Sequence, residues 1–248
     1  MTTPTTPDAA TVPSLPIVFV HGSGDSARHW QDVIALLPDF TCVALDLPGH
    51  GAQIDQPGPE RMSISDYAEA VRAELAARGL GRVCLAGHSL GSAIALQLAL
   101  DHPSLVARLV VVGGGARLRV LPALLDAARA ESAPAHESIA AMGFAPGHEA
   151  LAAAYGEAQS PTAPGMLYRD LSACDAFDVM GELGRITQPA LIVVGEQDRM
   201  TPPKYAAHLR DHLPDAMMVT VPDAGHFVAV EAPDAVASAL RTWLSRES

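Results

Sequence analysis

The chain has 248 residues, 49% of them hydrophobic, enough to enclose a sizeable core in one large α/β domain or two small ones and too apolar for extensive disorder. Lys and Arg number 16 against 28 Asp and Glu, a formal charge of −12, which argues against nucleic acid or anionic membrane as the main partner because both reward clustered cations. Three widely spaced cysteines (Cys42, Cys84, Cys174) read as free thiols rather than a disulfide frame, and no apolar run reaches the about 20 residues of a membrane span, so a cytoplasmic protein is expected.

Residues 1–15, rich in Thr and Pro, lack the basic and apolar regions of a secretory signal and read as a flexible tail. The first predicted strand is PIVFV (16–20), followed by the turn His21-Gly22-Ser23-Gly24 and a helix over 27–37. TCVALDL (41–47) is a second strand, closed by Pro48-Gly49-His50-Gly51. The spacing of Ile64, Tyr67, Ala68, Val71 and Leu75 predicts a helix over 63–78, with Ser63 as N-cap facing Asp66. RVCLAG (82–87) is a third strand and 90–100 a strongly apolar helix. Further strands are predicted at 105–114, 190–195 and 217–222, and a closing helix at 233–244.

Continuous Val/Ile/Leu runs separated by helices imply a mostly parallel sheet buried on both faces, an open, doubly wound α/β architecture. Residues 116–170 break the alternation. They are Ala-rich, punctuated by Pro122, Pro134, Pro146, Pro161 and Pro164, and too long for an ordinary connection. They are expected to form a small helical lid, with 16–115 and 171–248 as the core.

In a parallel sheet the loops at the carboxyl ends of the strands converge on one edge. Gly87-His88-Ser89-Leu90-Gly91 is a G-x-S-x-G between strand and helix, which holds a serine at a strained turn and at a helix N-terminus. Ser89 is therefore the predicted nucleophile. It needs a base. Of ten histidines, His226 in the loop after the last strand is the candidate, while His21 and His50 sit in turns where hydrogen bonding is the plainer role, and His88 should point away from Ser89. Asp198, in GEQD after the fifth strand, is the expected partner of His226; Glu196 is a weaker candidate. The amides of Ser23 and Leu90 can converge on an oxyanion. Phosphate-cradle spacing is absent, and so is paired metal-ligand spacing, so neither a cofactor nor a metal is expected.

HGSG, DLPGHG, GHSLG, GEQD and AGHF, in this order from Pro16 to Ser245, resemble the α/β-hydrolase superfamily. The resemblance implies a triad of Ser89, Asp198 and His226, oxyanion amides from Ser23 and Leu90, and a lid that shapes the substrate pocket. Ser89 excludes the members that use an aspartate nucleophile. Relatives begin with an antiparallel strand pair for which only fifteen residues remain here, so that pair is expected to be missing or reduced to one edge strand, leaving the sheet edge for a partner subunit in a homodimer.

The expected activity is hydrolysis of a carboxylic ester or lactone through an acyl-serine. Carbon–carbon hydrolysis, acyl transfer and perhydrolysis by the same triad are the alternatives, and a small-molecule receptor is the rival from another class. Candidate pocket residues are His21, Leu118, Leu121, Met142, Phe144, Met200 and Phe227, and the aliphatic lid points to a small or medium apolar acyl group.

Overall fold

The computed structural model describes residues 15–131, 133–158 and 160–246; the tail and any edge strand expected from residues 1–14 lie outside them. Six strands form one sheet: β1 (Ile17–Val20), β2 (Cys42–Leu45), β3 (Val83–His88), β4 (Val106–Val112), β5 (Ala190–Gly195) and β6 (Ala216–Val221). Their order is β2-β1-β3-β4-β5-β6, and every pairing is parallel.

Every residue of β1, β3 and β5 is buried, whereas the edge strands β2 and β6 are mostly half-buried. That is why the central runs read as continuously apolar. Side chains alternate between two cores. Val18, Val20, Leu85, Leu109, Val111 and Ile192 face one, with α2 (Ile64–Ala77), α3 (Leu90–Asp101) and α8 (Pro203–His212); Ile17, Phe19, Ala86, Val110 and Val193 face the other, with Trp30 and α10 (Pro233–Leu244). Burying each such aliphatic side chain stabilises the fold by about 1.5–3 kcal/mol before entropy is subtracted.

Local signals were mostly legible. The cap on α2 is a reciprocal box: the Ser63 amide donates to Asp66 Oδ2 at 2.8 Å and the Asp66 amide to Ser63 Oγ at 3.2 Å, worth about 1 kcal/mol. One predicted helix differs. Residues 27–37 are a 3-10 turn at Ala27–Trp30 and a short α1 (Gln31–Ala35). The tight turn sets His29 Nδ1 3.0 Å from Asp25 and lays Trp30 against Phe19, ring centroids 4.9 Å apart, so burial of two rings overrides a regular helix.

Among the described residues four α-helices lie between β4 and β5: α4 (Pro122–Arg129), α5 (Ala133–Gly143), α6 (Glu149–Ala158) and α7 (Met166–Ala176). They share a small cluster of Leu124, Ala128, Ala135, Leu167 and Leu171. α7 runs past residue 170 without interruption, and its last turn joins the main core through Ala173 and Cys174. A short helix α9 (Val228–Glu231) precedes α10.

The chain goes from β1 outward to β2, then crosses back over β1 to β3. This reversal opens a crevice at the carboxyl ends of β1 and β3, the position where doubly wound sheets bind ligands.

Candidate active site

The loops after β1 and β3 meet in that crevice. A Cβ on Gly22 would stand 3.3 Å from Ser89 Cβ. Ser89 occupies the junction of β3 and α3 with φ 51° and ψ −112°, a left-handed conformation of the kind that carries about 1–3 kcal/mol of strain in a non-glycine residue. The flanking glycines are needed for contact. A Cβ on Gly87 would fall 2.0 Å from the Gly91 carbonyl, and one on Gly91 would fall 2.4 Å from the Val20 carbonyl. Ser89 is half-buried while His88 and Leu90 on either side are buried, and its amide donates to Val112 O at 3.0 Å, pinning the turn to the tip of β4.

The loops after β5 and β6 bring the acid and the imidazole together. His226 Nδ1 lies 2.9 Å from Asp198 Oδ2, with both residues buried. The carboxylate accepts, so the proton sits on Nδ1 and Nε2 keeps its lone pair. A Cβ on Gly113, next along the chain from the Val112 that holds Ser89, would lie 3.2 Å from His226 Nδ1. Ser89 and His226 thus flank the same strand tip. Burial pushes the Asp198 carboxyl up, but His226 and the donors from Thr201 outweigh it and hold the pKa below the usual carboxylate range.

Thr201 is the site residue that sequence reasoning missed. Its amide donates to Asp198 Oδ1 at 2.8 Å, its hydroxyl to Asp198 Oδ2 at 2.8 Å, and Thr201 Oγ1 stands 3.1 Å from His226 Nδ1. The Met200 amide adds a bond to Oδ1 at 2.9 Å. An Asp followed three residues on by Thr is a local turn signature that could have drawn notice. Glu231, also missed, buries its side chain at the end of α9 and ties the His226 loop to the insertion: it accepts from the Gly225 amide at 3.0 Å, the Ala145 amide at 2.8 Å and His148 Nδ1 at 2.8 Å. An acid inside VAVEAP offers no comparable signal.

The first loop distributes its amides unevenly. Gly24 donates to Asp170 Oδ2 at 2.9 Å, Asp25 to Gly22 O at 3.4 Å, and Ser26 to Asp25 Oδ1 at 2.7 Å. The Ser23 amide has no protein acceptor among the described residues. Leu90 is the first residue of α3, and first-turn amides have no partner within their helix.

The other histidines hold loops. His21 Nε2 accepts from the Leu47 amide at 3.0 Å; burial, then the charge on His50, lowers its pKa to about 4. His88 Nε2 donates to His226 O at 2.9 Å and its ring stacks on His29, centroids 4.2 Å apart; burial keeps it neutral, its pKa well below the imidazole range. Asp25 receives His29 Nδ1 and the hydroxyl of Tyr155 from α6.

Among the pocket candidates, Phe227 sits edge-on to His226 at 5.9 Å and stacks on Phe144 at 4.7 Å, and a Cβ on Gly143 would meet the Phe227 ring and, at 3.5 Å, Met200 Sδ. The remaining candidates lie elsewhere. Leu118 is in the main core, Met142 packs on the insertion's own cluster, and Leu121 at the start of α4 is 60% exposed, because the N-cap of an amphipathic helix turns outward. Among the described residues no cluster of His, Cys, Asp and Glu could hold a metal ion, and no helix is long and apolar enough to cross a membrane.

Known proteins resemble this chain over most of its length. RutD of Shigella flexneri serotype 5b, provisionally named a carbamate hydrolase, is 28% identical over 231 residues, covering 88% of this chain and 86% of that protein. A solved thermophilic esterase superposes with a TM-score of 0.76 at 32% identity, covering 92% of this chain and 88% of its own. The enol-lactonase of Burkholderia xenovorans LB400 shares the fold, with a TM-score of 0.86 at 22% identity over 96% of this chain and 94% of its own. The family model for the alpha/beta hydrolase fold matches residues 16–233, and the chain belongs to that family of hydrolases.

Proposed function

We propose that the protein hydrolyses carboxylic esters or lactones through an acyl-serine, with Ser89 as nucleophile, His226 as base and Asp198 as its orienting acid. The observation that carries the reading is the strained, half-buried Ser89 at the crevice beside an Asp198–His226 pair 2.9 Å apart. Ser89 Oγ attacks the carbonyl carbon while His226 Nε2 takes its proton. The carbonyl oxygen becomes an oxyanion between the amides of Ser23 and Leu90, and two such donors lower the barrier by several kcal/mol in total. Collapse expels the alcohol, protonated by His226, and water then repeats the sequence on the acyl-enzyme. The aromatic pair Phe227 and Phe144, with Met200, forms an apolar wall beside His226 that favours a small or medium acyl group.

A panel of p-nitrophenyl esters of increasing acyl length, read with mass spectrometry after exposure to a fluorophosphonate, tests this. Short esters should turn over, and the phosphonyl group should replace the Ser89 proton, with loss of fluoride, in the wild type and not in Ser89→Ala. Turnover that survives Ser89→Ala, or an unlabelled wild type, overturns the reading.

A further inference from the structure

One buried carboxylate outside the proposed triad touches the first loop. Asp170, fully buried on α7, has three partners from three segments: Oδ2 accepts the Gly24 amide at 2.9 Å and lies 3.0 Å from His50 Nε2, and Oδ1 accepts the hydroxyl of Tyr67 from α2. His50 is fixed from its other side, Nδ1 donating to Pro48 O at 3.1 Å. Tyr67 is fixed too, accepting from Arg169 Nε at 2.8 Å. The loop also leans on α7 by packing. Ser23 Oγ is 3.7 Å from Cys174 Sγ, and a Cβ on Gly24 would stand 3.0 Å from Leu167 Cδ1. Residues 167, 170 and 174 are spaced i, i+3, i+7, so one face of α7 backs the whole turn.

Gly24 has φ +66°. Its N–H lies in the peptide plane that follows Ser23, so anchoring it holds one of the two planes flanking Ser23 and restricts how far the Ser23 N–H can turn. We propose that Asp170 is a positioning residue for the oxyanion loop: by engaging the Gly24 amide it leaves the Ser23 amide aimed at the carbonyl oxygen of the acyl substrate. The inference rests on the acyl-serine reading above. The charge balance fits the role. Burial pushes the Asp170 carboxyl up, but His50 and the donors from Tyr67 and Gly24 hold it low, and burial's pull on His50 is outweighed by Asp170, which raises it. Each partner thus favours the charged form of the other.

An amide that acts on the oxyanion stabilises the transition state and not the bound ester, so its misalignment lowers kcat and leaves KM. Removing an oxyanion donor outright lowers kcat by about 10²–10³-fold. Asp170→Leu, similar in size and without an acceptor, should lower kcat on p-nitrophenyl acetate about 10–100-fold with KM within about twofold. It should weaken an aryl trifluoromethyl ketone by the same factor, because that inhibitor adds Ser89 Oγ to its carbonyl carbon and sends the carbonyl electron pair to an alkoxide in the same amide pair. Asp170→Asn keeps an oxygen for Gly24 and should recover most of the rate. If Asp170→Leu does not fold, Asp170→Ser, whose hydroxyl is too short to reach Gly24, takes its place. A folded acceptor-free variant with wild-type kcat and ketone affinity, or one in which Asn fares no better than Leu, overturns the proposal. Wild-type turnover and Ser89 labelling, measured alongside, tell that failure apart from failure of the acyl-serine reading.

Discussion

The regions around His226 and His50 pair a buried histidine with a buried aspartate at nearly the same separation, 2.9 and 3.0 Å, to different ends. At His226 the carboxylate and Thr201 both engage Nδ1, and Nε2 has no protein partner among the described residues. At His50 the Pro48 carbonyl takes Nδ1 and the Asp170 carboxylate stands 3.0 Å from the buried Nε2 as an ion-pair partner, so neither ring nitrogen is open to a substrate. Asp25 and His29 form a third pair, whose Nε2 is buried without a partner. What separates a base from a strut is therefore which nitrogen is left over and whether a substrate can reach it, and the presence of an Asp–His pair alone decides nothing.

The largest test of that distinction is a histidine series. His226→Ala should lower kcat/KM by about 10⁴-fold or more, and the Ser89→Ala/His226→Ala double variant should be no worse than either single one, since the members act as a unit. His29→Asn, which removes an equally buried ring bonded to Asp25, should lower kcat less than about tenfold. A His29 variant as inactive as His226→Ala would dissolve the comparison and move the base to the other pair.

Thr201→Val sharpens it. The substitution removes one donor to Asp198 and, among the described residues, the only side-chain oxygen bonded near His226 Nδ1 other than the carboxylate, while the Met200 and Thr201 amides remain. A hydrogen bond to a charged group is worth about 1.5–3 kcal/mol, so kcat should fall about 10–100-fold with KM little changed. Steady-state kinetics on a short p-nitrophenyl ester check it; an unchanged kcat would mean that backbone donors alone align Asp198.

These residues also mark where sequence reading stops. The sheet, α2 with its Ser63–Asp66 box, and the strained turn at Ser89 were legible because each depends on a short segment: an apolar run, a cap, a glycine-flanked turn. Thr201 was half-legible from its three-residue distance to Asp198. Asp170, Tyr67 and His50 were not, because their meeting joins segments about a hundred residues apart and each looks locally ordinary: an acid beside Arg169, a core tyrosine on a helical stripe, a histidine in a turn. The 3-10 turn at Ala27–Trp30 escaped for a different reason: its shape is set by the packing of Trp30 on Phe19 of the preceding strand and by the contact of His29 with Asp25 four residues earlier. Leu121 was placed in the pocket on hydrophobicity alone, which says nothing about the direction a helix end faces.

The last expected effect is on stability rather than rate, and it separates the histidines by the sign of their linkage. His21 and His88 have native pKa values below 6.5, so on acidification below that value the unfolded chain takes up two protons that the native state refuses. Stability then falls by up to about 1.4 kcal/mol per pH unit for each, until His21 itself protonates near pH 4. Protonation there also removes the lone pair that accepts the Leu47 amide. His50 has the opposite sign. Its native pKa is raised, so its contribution is complete below 6.5 and is lost as pH rises through the native value. Together they place the stability maximum near neutrality, with an acid limb steeper than the alkaline one. Melting temperatures from pH 4.5 to 9 should trace that shape. His21→Gln should flatten the acid limb and His50→Gln the alkaline limb. An acid limb unaltered in His21→Gln would mean that this ring is not the neutral strut its contact with Leu47 makes it.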